Sequence, residues 1–179
     1  MKKLPPLVDG VDGQFLKVRA LDDVDYDFLG YMLCCHLVIE HHLDEFLATL
    51  GTRLQWDKAR LTFSHKISLF PVEIFPYGVE LIQAVKHLNS MRNKVAHNIR
   101  ARATDMSFEP LKSYLGTVHE GREKVPDDPH AILEVFTSTV CAFLIGWIAS
   151  DAYRTSWRQE RQAQQSIQSD DRAFDRSAG

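Results

Sequence analysis

Cysteine is scarce in this chain: Cys34, Cys35 and Cys141 are the only three in 179 residues, too few for a disulfide framework. Adjacent Cys34 and Cys35 lie inside an apolar helical pattern and read as small core residues of a reducing compartment. Neither charge sign dominates. With 21 Lys and Arg against 24 Asp and Glu, the formal charge is −3, which excludes a wholly basic nucleic-acid binder. A local basic patch stays open, because a field depends on the arrangement of charges more than on their total. The opening "MKKLPPLVDG" lacks the apolar stretch of a signal peptide. The most apolar run, "VFTSTVCAFLIGWIAS" at 135–150, falls short of the roughly 20 residues that span a bilayer. These absences point to a cytoplasmic protein without a membrane segment. No internal repeat is present, and no segment shows convincing strand alternation flanked by turns.

What is present is helical periodicity. Phe28, Met32, Cys35, Ile39, Leu43, Phe46 and Leu47 recur at three- and four-residue steps, predicting an amphipathic helix over about 25–50. Asp22, Asp23 and Asp25 place negative charge at its start, and Gly51 marks its stop. A second helix is expected from Asp57 to Phe70, carrying Leu61 and Ile67, before the turn "FPVEIFPYG". A third runs from about Tyr77 to His97, a short fourth from Phe108 to Val118, and a long last one from His130 to Arg161. The fold class is therefore all-α, a single-domain antiparallel helical bundle of about five helices. Residues 1–20 read as an irregular lead-in, 21–161 as the helical domain and 162–179 as a polar, disordered tail.

The third helix carries the most informative stretch, "LNSMRNKVAHN" at 88–98. On a helical wheel, Leu81, Ala84, Val85, Met91 and Val95 fall within about 60° of Leu88 and form a buried stripe. Arg92 lies at the flank of that stripe. Asn93 and His97, four residues apart, are neighbours on the opposite side. Ordinary helix-end chemistry accounts for part of this: a cation near the C-terminus and Asn98 as a cap are both stabilising.

The segment "RNKVAH" resembles the Arg-x4-to-6-His signature of HEPN domains, all-α modules of toxin–antitoxin, antiviral and RNA-processing systems. The likeness extends to Asn93 directly after the arginine, and to "LVIEHHLDEFLATL", similar to the family's first long helix with its internal Glu40. "LTFSHKISLF" resembles the second helix of several bacterial members, including relatives of the mannitol operon repressor. This resemblance implies a metal-independent endoribonuclease without cofactor that leaves 2′,3′-cyclic phosphate ends on single-stranded RNA. It implies His97 as base or acid, Arg92 as phosphate clamp, and Asn93 orienting either the histidine or the substrate. It further implies a homodimer whose two motifs meet in one composite cleft, and an inhibitor or antitoxin protein as a possible partner. HEPN toxins paired with a nucleotidyltransferase carry a tyrosine two residues after the histidine; here that position is Ile99, so silencing by AMP attachment is not expected. A non-catalytic HEPN-fold regulator remains the alternative.

Histidine chemistry suits the first role, since an imidazole with pKa near 6.5 exchanges protons at working pH. A guanidinium suits the second, because its planar fork holds two phosphate oxygens and stays charged. Arg100 and Arg102 follow the motif and are candidate RNA-backbone contacts. Arg154, Arg158 and Arg161, with Trp157 between, form either a second RNA row or a solvated helix face. Glu40 is a candidate to orient Arg92. His36, Glu40, His41, His42 and Glu45 crowd the first helix at spacings that suit metal ligands, but no HExxH and no evident fourth ligand accompany them, so no metal is assigned.

Overall fold

A computed structural model describes residues 6–19, 21, 24–50, 60–151 and 155. The chain is mostly helical, as the periodicity predicts, with one small two-stranded sheet. In chain order come β1 (Leu7–Asp12), β2 (Phe15–Arg19), α1 (Tyr26–Leu50), α2 (Phe63–Ser68), α3 (Gly78–His97), α4 (Glu109–His119) and α5 (Pro129–Asp151).

The sheet corrects the expected irregular lead-in. β1 and β2 pair antiparallel from Leu7↔Arg19 to Asp12↔Phe15, leaving Gly13 and Gln14 as a two-residue turn. Gly13 has φ +63°, the left-handed geometry that tight hairpin turns require. A register irregularity between Val8 and Gly10 breaks the alternation of β1, which hides the strand from pattern reading. Every residue of the hairpin is exposed.

Helix α1 begins where an aspartate can cap it: Asp25 Oδ1 accepts the Phe28 N–H at 3.1 Å. Its seven predicted apolar positions are all buried, and His36 is buried with them. Helix α2 is shorter than expected. Thr62 Oγ1 accepts the His65 N–H at 3.3 Å, capping a helix that starts at Phe63. Leu61 therefore precedes the helix, and the expected start at Asp57 lies outside the described residues. Helix α3 matches its expected span, and Leu81, Ala84, Val85, Leu88, Met91 and Val95 are all buried. It touches α1, α2 and α4, so its two flanks are set by different neighbours.

Asp128 Oδ2 accepts the Ala131 N–H at 3.0 Å at the start of α5. The apolar run at 135–150 belongs to this 23-residue helix, which by length and composition alone is long enough to cross a membrane. One side of it enters the common core through Leu133, Phe136, Val140 and Leu144. Arg154, Trp157, Arg158 and Arg161 lie outside the described residues, as does the tail from 162. One continuous cluster of buried side chains, drawn from all five helices, forms the core.

Candidate functional site

The face of α3 between its two flanks carries Asn89, Arg92 and Asn93, one helical turn apart. α1 and α2 approach this face, and the three helices enclose a polar cleft of about 240 Å³. Arg92 and Asn93 line it from α3, His36 and Glu40 from α1, and Ser64 from α2.

The inner wall is a chain of hydrogen bonds linking three helices. His36 Nε2 lies 3.1 Å from Asn89 Oδ1, and Asn89 Nδ2 donates to Ser64 Oγ at 3.3 Å. With the Asn89 amide oriented this way, His36 Nε2 donates to its oxygen, and Nδ1 is buried without a hydrogen-bond partner among the described residues. The ring centroid sits 4.2 Å from that of Phe63. Burial pushes the His36 pKa below the usual histidine value, outweighing the hydrogen bond to Asn89 and the nearby Glu40 carboxylate; Arg92 and Lys66 push the same way.

This depression has a thermodynamic consequence. The unfolded histidine titrates near 6.5, above the folded one, so the unfolded chain takes up the proton first as pH falls. The neutral-His36 contribution is complete above about pH 6.5 and is lost as pH drops through the lower folded value. The expected result is that the denaturant midpoint falls less between pH 7 and pH 5 in His36→Gln than in the wild type. Parallel pH slopes would remove His36 from the titration.

Glu40 has a partner of its own on α2. It shares the cleft with Arg92, but its Oε1 accepts from Lys66 Nζ at 2.8 Å, and Lys66 also donates to Asp44 Oδ2 at 2.8 Å. Burial opposes the lysine charge, yet the two carboxylates overcome it and raise its pKa. Arg92 instead donates from Nη1 to Asn93 Oδ1 at 3.2 Å. Asn93 therefore holds the guanidinium on its own helix.

His97 does not reach this cleft. It is exposed at the end of α3 and sits roughly 140° round the helix from Arg92, since five residues separate them at about 100° each. The wheel is thus borne out in direction: Arg92 is half-buried, and Asn93 and His97 are exposed. Beyond His97 the chain turns, with Asn98 Oδ1 accepting the Arg100 N–H at 3.1 Å and Asp105 Oδ2 the Arg102 N–H at 3.0 Å. Lys94 Nζ donates to the Asp105 carbonyl at 2.6 Å, tying this connector back to α3. Neither Arg100 nor Arg102 lines the cleft.

The histidines of α1 divide between two surroundings. His36 turns inward, whereas His41, His42 and Glu45 gather on the outer face with ligand atoms within 4.8 Å of one another. His41 Nε2 is 3.6 Å from Glu45 Oε1 and His42 Nδ1 is 3.7 Å from Glu45 Oε2. The residues that sequence reasoning missed are Asn89, Ser64 and Lys66. Asn89 carried a usable signal, since it stands three and four positions before Arg92 and Asn93 and so on their face. No protein-family model, curated protein or solved structure matches this chain.

Proposed function

We propose that the protein is a metal-independent endoribonuclease of HEPN type, acting on single-stranded RNA as a cytoplasmic homodimer, in a toxin or phage-defence setting where an inhibitor protein can mask the cleft. The observation that carries this reading is the split of the motif around α3. Arg92 and Asn93 line a polar cleft, while His97 of the same copy, one turn beyond Asn93, is exposed and outside that lining. The cleft of one copy therefore holds the clamp without His97 in its lining, and the exposed His97 is accessible to another chain.

In this mechanism Arg92 holds two non-bridging oxygens of the scissile phosphate. The partner's His97 takes the proton from the adjacent 2′-hydroxyl. The 2′-oxygen bonds to phosphorus, the bond to the 5′-oxygen breaks, and the departing oxygen takes a proton from water. The products are a 2′,3′-cyclic phosphate and a free 5′-hydroxyl. Purified protein is expected to cleave single-stranded RNA in excess EDTA and to leave cyclic phosphate ends, read by end-specific labelling and mass spectrometry.

A second reading, an interaction or regulatory protein of the same fold without nuclease activity, is favoured by the hairpin. Val8, Val11, Leu16 and Val18 lie on one face of it and are between 57% and 69% exposed, a surface suited to a protein partner. Intact RNA after prolonged incubation with folded, dimeric protein would favour that reading over the first.

A further inference from the structure

The hairpin is built like one wall of a core, yet it contributes no residue to the core of its own chain. By the register of the strands, Val8, Val11, Leu16 and Val18 share one face, and Asp12, Lys17 and Arg19 fall on the other. A lone two-stranded hairpin is marginal in water and needs a further strand, or a helix layer on its apolar face. Its charges balance, Asp9 and Asp12 against Lys17 and Arg19, with Arg19 Nε 3.8 Å from Asp9 Oδ2. A neutral hairpin with one wholly apolar face selects neither RNA nor an anionic membrane surface; it selects an apolar protein surface.

The same chain carries an uncovered helix layer. On α1, Leu37 and Val38 are 59% and 44% exposed, and Cys34, one turn earlier, is exposed with them. On α5, Ile145 is 48% exposed. The two helices are neighbours, since Cys35 lies near Cys141 and the Phe46 and Trp147 ring centroids are 6.4 Å apart. Val38 follows Cys35 by three residues and Ile145 follows Cys141 by four, so both border one seam. The exposed part of the hairpin face amounts to roughly 400 Å², the size of the largest apolar patches on ordinary monomers. One such contact is small for a stable dimer. Two of them, related by a two-fold axis, bury both hairpin faces and matching areas of both seams, roughly 1,600 Å² in all, which is a standard interface.

We infer that the hairpin of each copy lies on the α1–α5 seam of a second copy, a reciprocal exchange of arms that joins two chains. The sheet face and the helix face that stand bare in one copy then cover each other in the pair. Leu37 stands about 60° round α1 from Glu40, so a copy seated on it borders the cleft. The inference rests on the ribonuclease reading only for the homodimer and does not depend on cleavage.

The test introduces one cysteine at a time on the hairpin face of the full chain, at Val8, Val11, Leu16 or Val18, as a partner for native Cys34. With copper phenanthroline as oxidant, at least one is expected to give a covalent dimer on a non-reducing gel, and adding Cys34→Ser should remove it. Sedimentation equilibrium supplies a second arm that needs no cross-link. Leu16→Glu and Leu37→Glu each remove two contacts per dimer and should raise the dimer dissociation constant about a hundredfold or more. Both residues are exposed in the single copy, so neither substitution disturbs the core. No Cys34-dependent dimer from any of the four positions, or a disulfide closed within one chain, would overturn the exchange. A dimer indifferent to both glutamates would overturn it too, leaving the homodimer of the ribonuclease reading intact and the hairpin to a different protein. A monomeric wild type would overturn both.

Discussion

Replacing His97 by alanine is expected to lower RNA cleavage by roughly 10²–10⁴-fold, the usual worth of a positioned general base. The same substitution should leave stability within about 0.5 kcal/mol, because His97 is exposed. Arg92→Ala should lower cleavage comparably, and Arg92→Lys should not restore it. Lysine keeps the charge but loses the planar fork that grips two oxygens and that Asn93 Oδ1 holds in place at 3.2 Å. Initial rates in EDTA, taken beside thermal midpoints, separate lost chemistry from lost folding. Wild type and all three variants cleaving at one rate would assign the activity to a contaminant.

The second large effect concerns the turn that aims the site. α3 opens at Gly78, directly after Tyr77 in the left-handed region at φ +56°. A Cβ built on Gly78 would stand 2.0 Å from the Val72 carbonyl oxygen and 2.8 Å from its carbon. Both obstructing atoms are backbone, so no rotamer change relieves them. Gly78→Ala is therefore expected to cost roughly 3 kcal/mol or more, at the upper end of overpacking penalties. Gly30, within α1 and with nothing within 4 Å of its added Cβ, is the natural control. Gly30→Ala should stabilise by about 0.5–1 kcal/mol, since alanine loses less backbone freedom in a helix. Urea midpoints of the two variants should move in opposite directions. Equal midpoints would mean that the 72–78 turn does not pack as tightly as this, and the aim of α3 would need another explanation.

The direction of each α3 side chain was legible because it depends on one helix axis. Six apolar residues at three- and four-residue steps set the buried stripe, and Arg92, Asn93 and His97 take their angles from it. The interior of the cleft was not legible, because it depends on which helices stand beside that face. His36 and Asn89 are 53 positions apart, and Asn89 and Ser64 are 25 apart, so no local pattern joins them. Glu40 lines the cleft with Arg92, and the Lys66 that engages its Oε1 comes from α2, 26 positions away in sequence. α2 itself was overestimated because Thr62 caps it late. The hairpin escaped notice because its strands are five and six residues long and one is irregular.

The claim on which the functional account depends is that one copy's Arg92 works with the other copy's His97. Mixing inactive Arg92→Ala protein with inactive His97→Ala protein, after subunit exchange, tests it directly. Half of the dimers then pair the two variants, and one arginine and one histidine meet across their seam. The account predicts that cleavage returns to about a quarter of the wild-type rate, as two-fold symmetry requires. A mixture as inactive as its components, with exchange verified, would contradict it.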